Sequence, residues 1–207
     1  EKILRNIYSE GKTAVLVSVE GELAALLGLS DTIKESSAKA VEQLQKMGIR
    51  VFLITGDNVN AAEAVGARVG IKNIMAEVLP EDKAKEILKL KGKGKVVAMV
   101  GDGINDSPAL AAADVGFAIG TGTDIAVETG DIVLLKDDLM NIPNAIKLSK
   151  KTIWKIRQNL FWAFVYNVIG IPIAATGRLN PIVAAAAMTL SSISVLANSL
   201  SLKRLKL

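Results

Sequence analysis

The 207-residue sequence contains no cysteine and no histidine. The first absence excludes disulfides, thiolate metal sites and a cysteine nucleophile; the second excludes imidazole ligands and any Ser-His-Asp triad. Acidic residues are missing from one region only. Residues 147–207 hold nine Lys or Arg and no Asp or Glu, which leaves 16 basic and 21 acidic residues in 1–146, a net of −5. The overall charge of +4 therefore belongs to the C-terminal part. Basic residues set beside long apolar runs point to a membrane surface, and a nucleic-acid partner is excluded. The first twelve residues, Glu1 to Lys12, are polar and lack the apolar core of a signal peptide.

What is present falls into three stretches. Lys12 to Leu29 reads as two apolar runs about a Glu20-Gly21-Glu22 turn, a β-hairpin. Ser30-Asp31-Thr32 signals the start of a helix over Ile33 to Met47, stopped by Gly48. Strands are then expected at Arg50–Thr55, Asn73–Ala76, Lys95–Val100, Asp114–Ile119 and Asp131–Leu135. Helices are expected at Val59–Val69, closed by Gly70, then at Pro80–Lys91 and Asn105–Ala113. This alternation predicts an α/β fold with a parallel, doubly wound sheet whose functional groups sit at the C-terminal strand ends. Finally, Leu160–Thr176 has no ionisable group but Tyr166, and Leu179–Leu202 has no charge at all. At ~1.5 Å per residue each run matches the ~30 Å hydrocarbon core, so two transmembrane helices joined at Gly177-Arg178 are expected. Five basic residues from Lys147 to Arg157 and three from Lys203 to Lys206, against Arg178 alone at the turn, put the soluble part and the C-terminus on the cytoplasmic side.

The chemistry concentrates at two strand ends. In Gly101-Asp102-Gly103-Ile104-Asn105-Asp106-Ser107-Pro108-Ala109-Leu110, an apolar strand delivers Asp102 and a nascent helix delivers Asp106. A carboxylate pair of this spacing suits magnesium, which takes oxygen ligands and completes its shell with water and phosphate. Thr55-Gly56-Asp57 ends the other central strand, where a hydroxyl and free N–H groups can hold an anion. Lys83, in Leu79-Pro80-Glu81-Asp82-Lys83, lies one turn into its helix and could bring a fixed positive charge to the same edge. Together these make a phosphate-plus-magnesium site able to stabilise a transferring phosphoryl group. Gly92-Lys93-Gly94-Lys95 and Gly120-Thr121-Gly122 lack nucleotide-loop spacing and are taken as turns. In the membrane part, Tyr166, Asn167, Met188, Ser191 and Ser192 are polar or soft groups in a costly place. They serve either interhelical hydrogen bonding or a soft monovalent ion.

The ordered motifs T-G-D at Thr55–Asp57, P-x-x-K at Lys83 and G-D-G-x-N-D-x-P-A-L at Gly101–Leu110 resemble those of heavy-metal P-type ATPases. The Tyr-Asn pair followed by Met-x-x-Ser-Ser is similar to the copper- and silver-exporting branch. The resemblance implies a haloacid-dehalogenase-like, Rossmannoid phosphorylation domain over 31–146, preceded by the end of a nucleotide-binding domain in 1–30 and followed by the last two membrane helices in 147–207. It also implies catalytic roles for Thr55, Gly56, Asp57, Lys83 and Asn105, magnesium at Asp102 and Asp106, and a Cu+ or Ag+ path along Tyr166, Asn167, Met188, Ser191 and Ser192. ATP and Mg2+ would be the cofactors. The partners implied are the actuator, nucleotide-binding and remaining membrane segments of the same pump, membrane lipid and a copper chaperone. The family's phosphorylated D-K-T-G-T string does not occur, nor do its Cys-Pro-Cys and T-G-E motifs. The chain is thus expected to be a fragment whose nucleophile lies elsewhere. Two other readings stay open: a membrane-tethered phosphatase using Asp31, and a non-enzymatic anchor.

Overall fold

The computed structural model describes residues 2–9, 12–29, 32–92, 94–102, 105–119, 130–177 and 180–204. Asp31, the Gly103-Ile104 step and the Gly120–Gly122 turn lie outside the described residues. Two compact units divide after Pro143.

The first unit opens with helix α1 (Lys2–Ser9) and strands β1 (Thr13–Val19) and β2 (Glu22–Leu29), paired antiparallel. Glu20 and Gly21 turn the hairpin, both at positive φ (52° and 87°), the mirror-image turn that matches strand twist. Helix α2 (Glu35–Lys46) begins two residues later than expected. Ile33 instead packs with Val51 and Leu53 on the buried Val41, Val69 and Ile71, and Lys34 pairs with Asp137, so both residues are held outside the helix. Gly48, at φ 77°, turns the chain out of α2 as its sequence position predicts.

Strand β3 (Phe52–Ile54), helix α3 (Val59–Val69) and strand β4 (Asn73–Met75) form the first βα unit, with β3 and β4 parallel. Asn58 caps α3 by accepting from Ala61 N at 3.0 Å, and Gly70 closes it in the left-handed conformation. Helix α4 (Pro80–Lys91), strand β5 (Ala98–Gly101), helix α5 (Ser107–Ala112), β6 (Val115–Ile119) and β7 (Ile132–Leu134) follow, and β5, β6 and β7 form one parallel ladder. Strand β5 starts later than Lys95. Val97 gives its N–H to Asp114 Oδ2 at 2.8 Å and its carbonyl to Asp114 N at 2.8 Å, and the regular ladder begins only beyond that exchange. Helix α5 starts at Ser107 rather than Asn105, with Asp106 as its N-cap residue.

The parallel strands thus stand as two ladders, β3-β4 and β5-β6-β7, with no pairing between β3 and β5 among the described residues. Hydrophobic packing bridges them. Ile54 of β3 lies against the buried cluster of Ile87, Met99, Ala109, Leu110 and Ala118, contributed by α4, β5, α5 and β6.

The second unit is helical. Helix α6 (Asn141–Ala175) runs without a break through the basic segment and the first apolar run, with Pro172 in its last turn. Gly177, at φ 71°, leads out of it, and Asn180 caps α7 (Pro181–Leu200) by accepting from Ile182 N at 2.9 Å. A 3-10 turn spans Ser201–Arg204. Segments Asn141–Ala175 and Ile182–Lys203 are long and apolar enough to cross a membrane.

Candidate functional site

Lys83 and Asp106 are brought together although 23 residues separate them. Nζ donates to Oδ1 at 2.7 Å, with the two side chains only 17% and 14% exposed. Pro80 starts α4 and so places Lys83 in its first turn; Asp106 sits at the mouth of α5. Helix α5 lies against β5 and β6 through the fully buried Ala109 and Leu110, so the carboxylate is carried on a packed element.

Gly101 explains how Asp106 reaches the end of β5. A Cβ at that position would stand 2.6 Å from both Asp106 Cβ and Oδ2, closer than any side chain tolerates. Asp102 follows, exposed at the C-terminal end of the strand, and Asn105 is likewise exposed.

At the end of β3 a second pair forms. Thr55 donates its hydroxyl to Asp57 Oδ2 at 2.8 Å and accepts from Asp57 N at 3.1 Å, so the hydroxyl is oriented by its own loop. The loop is tied to the segment after β4: Thr55 N donates to Met75 O at 3.0 Å, Val78 N to Thr55 O at 3.0 Å, and Glu77 N to Asp57 O at 2.9 Å. Gly56 is not required by packing, since an added Cβ would meet only Val78 O at an ordinary 3.5 Å. The structure therefore gathers the soluble site residues into two pairs, Thr55–Asp57 and Lys83–Asp106. Ile54 and Met99, in the strands leading to them, share the core cluster.

A magnesium ion fits this donor set as an ion of low protein coordination. Among the described residues no cluster of three carboxylates exists. Magnesium is commonly held by one or two carboxylates, with water and phosphate oxygens completing the octahedron. Asp102 is exposed at the strand end, and Asp106 is engaged by Lys83.

Sequence alone left Asp114 unassigned. Its carboxyl is held below the usual carboxylate range, first by the hydrogen bond from Val97 N and then by Lys91, whose Nζ lies 3.1 Å away. The role is to fasten the entry to β5 and β6.

In the membrane unit Asn167 donates to Ala163 O at 2.8 Å and Ser192 to Met188 O at 3.1 Å, each within its own helix. Neither of these bonds crosses between the two described helices, where interhelical bonding is one of the two expectations for these residues. Bonds between the helices are made by residues the sequence did not single out. Lys155 Nζ donates to Asn198 Oδ1 at 2.7 Å, Asn198 Nδ2 to Asn159 Oδ1 at 2.7 Å, and Asn159 Nδ2 to Ser199 Oγ at 2.9 Å. The available signal was the one-turn spacing of Lys155 and Asn159 and the lone Asn198 near the end of an apolar run.

These bonds orient the pair. Tyr166 lies seven residues beyond Asn159 and Ser191 seven before Asn198, so both fall on the facing stripes, and both are half-buried. Asn167 and Ser192 each come one residue later, and Met188 comes one after Ala187, itself on the facing stripe. Because the helices are antiparallel, a step of ~100° in opposite senses puts Asn167, Met188 and Ser192 on the same flank of the hairpin. All three are exposed, Met188 by 72%.

Residues 1–114 match the family model of haloacid dehalogenase-like hydrolases. The chain is 55% identical over 203 residues to the copper-exporting P-type ATPase of Bacillus subtilis (strain 168), covering 98% of this chain and 25% of that protein. It is 56% identical over 204 residues to the copper-exporting P-type ATPase of Staphylococcus aureus (strain JH9), covering 99% of this chain and 25% of that protein. The chain spans about a quarter of the length of these curated relatives. Among solved structures, the crystal structure of a zinc-transporting PIB-type ATPase in the E2.Pi state superposes with a TM-score of 0.84 at 36% identity, over 97% of this chain and 33% of that one.

Proposed function

Since this chain belongs to the haloacid dehalogenase-like hydrolase family, we propose that it works as part of an ATP-driven copper(I) or silver(I) exporter of the P-type ATPase class. It would supply half of the phosphorylation site and two membrane helices, while the aspartate that becomes phosphorylated lies outside it. The observation that carries this is the joining, in one chain, of the Lys83–Asp106 site at a parallel strand end to a hairpin without acidic residues. Relatives more than half identical over nearly the whole chain are named copper-exporting pumps, which favours this reading over a tethered phosphatase using Asp31.

In this reading residues 1–30 close the nucleotide-binding domain, 31–146 form the phosphorylation domain, and 147–207 are the last membrane helices. Among the described residues β3 and β5 do not pair, and one more parallel strand between them would join the two ladders into a single sheet. A strand ending there in an aspartate would set the nucleophile between Thr55 and Asp102. Released from Asp57, the Thr55 hydroxyl donates its one hydrogen to a phosphoryl oxygen beside the Gly56 N–H, and the unsubstituted Gly56 lets the phosphoryl group approach. Lys83, fixed by Asp106, sets a positive charge beside them, and exposed Asn105 offers a further donor. Asp102, with Asp106 behind it, would hold Mg2+, which neutralises charge on the transferring group.

Metal selectivity rests on the hairpin. The exposed flank carries an amide, a thioether and a hydroxyl and no carboxylate, a donor set suited to a soft monovalent ion. The solved zinc-transporting relative has the same backbone course, so side chains rather than fold decide the metal. Basic residues on either side of the hairpin orient the soluble unit and the C-terminus to the cytoplasm. Partners are the actuator, nucleotide-binding and remaining membrane segments of the pump, the surrounding lipid and a copper chaperone. The test is Asp102→Asn in the full-length protein. ATP-dependent turnover of an acyl phosphate is lost while copper(I) binding persists; retained turnover overturns the magnesium role.

A further inference from the structure

We propose that Lys155, Asn159, Asn198 and Ser199 form a register clamp that sets the height and rotation of α7 against α6. The clamp is a continuous relay in which each group donates to the next: Lys155 to Asn198, Asn198 to Asn159, Asn159 to Ser199. Its geometry stands independently of the pump reading. Its consequence for ion movement rests on that reading.

Apolar helix surfaces in lipid gain little from one register over another one turn away, because lipid is as apolar as the partner helix. Groups further along do not lift that degeneracy: Asn167, Thr189, Ser192 and Ser194 all return their hydrogens to carbonyls of their own helix. A half-buried amide pair between the helices does lift it, since a one-turn slip of ~5.4 Å would strand donors and acceptors. Lys155 adds direction. Residues 147–207 contain no carboxylate, so within this unit its ammonium has neutral oxygens to donate to, and it meets the Asn198 amide oxygen. Bonding that oxygen turns the Asn198 amide so that its N–H points to Asn159.

The clamp lies seven residues, about 10 Å, from the level where Tyr166 faces Ser191. With it closed, Asn167, Met188 and Ser192 share one flank; a slip of one turn would take Asn167 out of line with the other two. Because α6 is a single helix from Asn141, any displacement along its axis would draw α7 with it through these bonds. Lys155, Asn159 and Asn198 are thus positioning residues for a metal path formed by others.

The clamp is tested in the full-length protein in membranes by cysteine cross-linking. Ala163→Cys with Val195→Cys samples the observed register, and Ala163→Cys with Ser191→Cys samples one turn away. The first pair cross-links readily and the second poorly. In an Asn159→Ala/Asn198→Ala background the in-register yield falls by about threefold and the slipped pair gains. Unchanged yields overturn the clamp. Asn159→Asp, which keeps the acceptor for Asn198 and faces Lys155, retains the original pattern; if it behaves like alanine, hydrogen bonding is not what sets the register. For the consequence, metal transported per ATP hydrolysed falls in Asn159→Ala and Asn198→Ala, the double variant is no worse than the weaker single, and phosphorylation by inorganic phosphate is unaltered. Additive losses, or an unchanged ratio, overturn the positioning role. A wild-type protein without metal-stimulated turnover overturns the pump reading and leaves the cross-linking result to decide the clamp.

Discussion

A methyl group is enough to break the Lys83–Asp106 pair, and the place to add it is Gly101. Its Cβ would meet Asp106 at 2.6 Å, while the corresponding atom at Gly56 would meet only a carbonyl at 3.5 Å. The two glycines of similar sequence context therefore answer differently to the same change. Gly101→Ala is expected to cost about 1–3 kcal/mol by overpacking and to abolish phosphoenzyme turnover. Gly56→Ala is expected to leave the melting temperature nearly unmoved and impair turnover alone. Thermal unfolding of the solubilised full-length protein, with turnover measured in parallel, separates them. Asp114 gives the acid limb. A carboxyl held below its ordinary range by Val97 N and Lys91 stabilises the fold at neutral pH, and that contribution is lost as pH falls from the usual carboxylate range through its lowered folded value. The stability gap between wild type and Asp114→Asn should accordingly be widest near neutrality and close on acidification; a gap independent of pH contradicts the assignment. None of this was legible beforehand, because a glycine's tolerance and an aspartate's partner depend on atoms distant in sequence.

Helices with local stop and start chemistry were legible to the residue. α3 and α4 span the expected residues, α3 between Asn58 and Gly70 and α4 behind its N-terminal proline. Both signals act within one turn. α2 and β5 began late because their ends answer to tertiary partners: Ile33 to the core and Lys34 to Asp137, Val97 to Asp114. Removing the local signal should have a local size. Asn58→Ala deletes the bond to Ala61 N and should lower stability by about 1 kcal/mol, while Asn58→Ser should recover most of it, read by chemical unfolding. Because α3 leads from the Thr55–Asp57 loop to β4, fraying there also loosens the proposed phosphate-binding end of β3.

Across the whole molecule, charge is divided between a net acidic 1–146 and a wholly basic 147–207. The proposed orientation, with the soluble part on the cytoplasmic side, requires the turn joining α6 and α7 to face the other way. A cysteine at Thr176, the chain having none of its own, should react with a membrane-impermeant maleimide added from outside. Protection there, with labelling only after permeabilisation, reverses the orientation. Composition, periodicity and ordered motifs determined the α/β class, the two apolar helices, the missing nucleophile string and the choice of candidate site residues, since each is written in nearest neighbours or in a count. Tertiary structure decided what those residues do to one another. It paired Lys83 with Asp106 across 23 residues, split the parallel strands into two ladders, and joined α6 to α7 through Asn159 and Asn198. These depend on where separate elements come to rest, and that is set by packing and desolvation summed over the fold rather than by any local run of sequence.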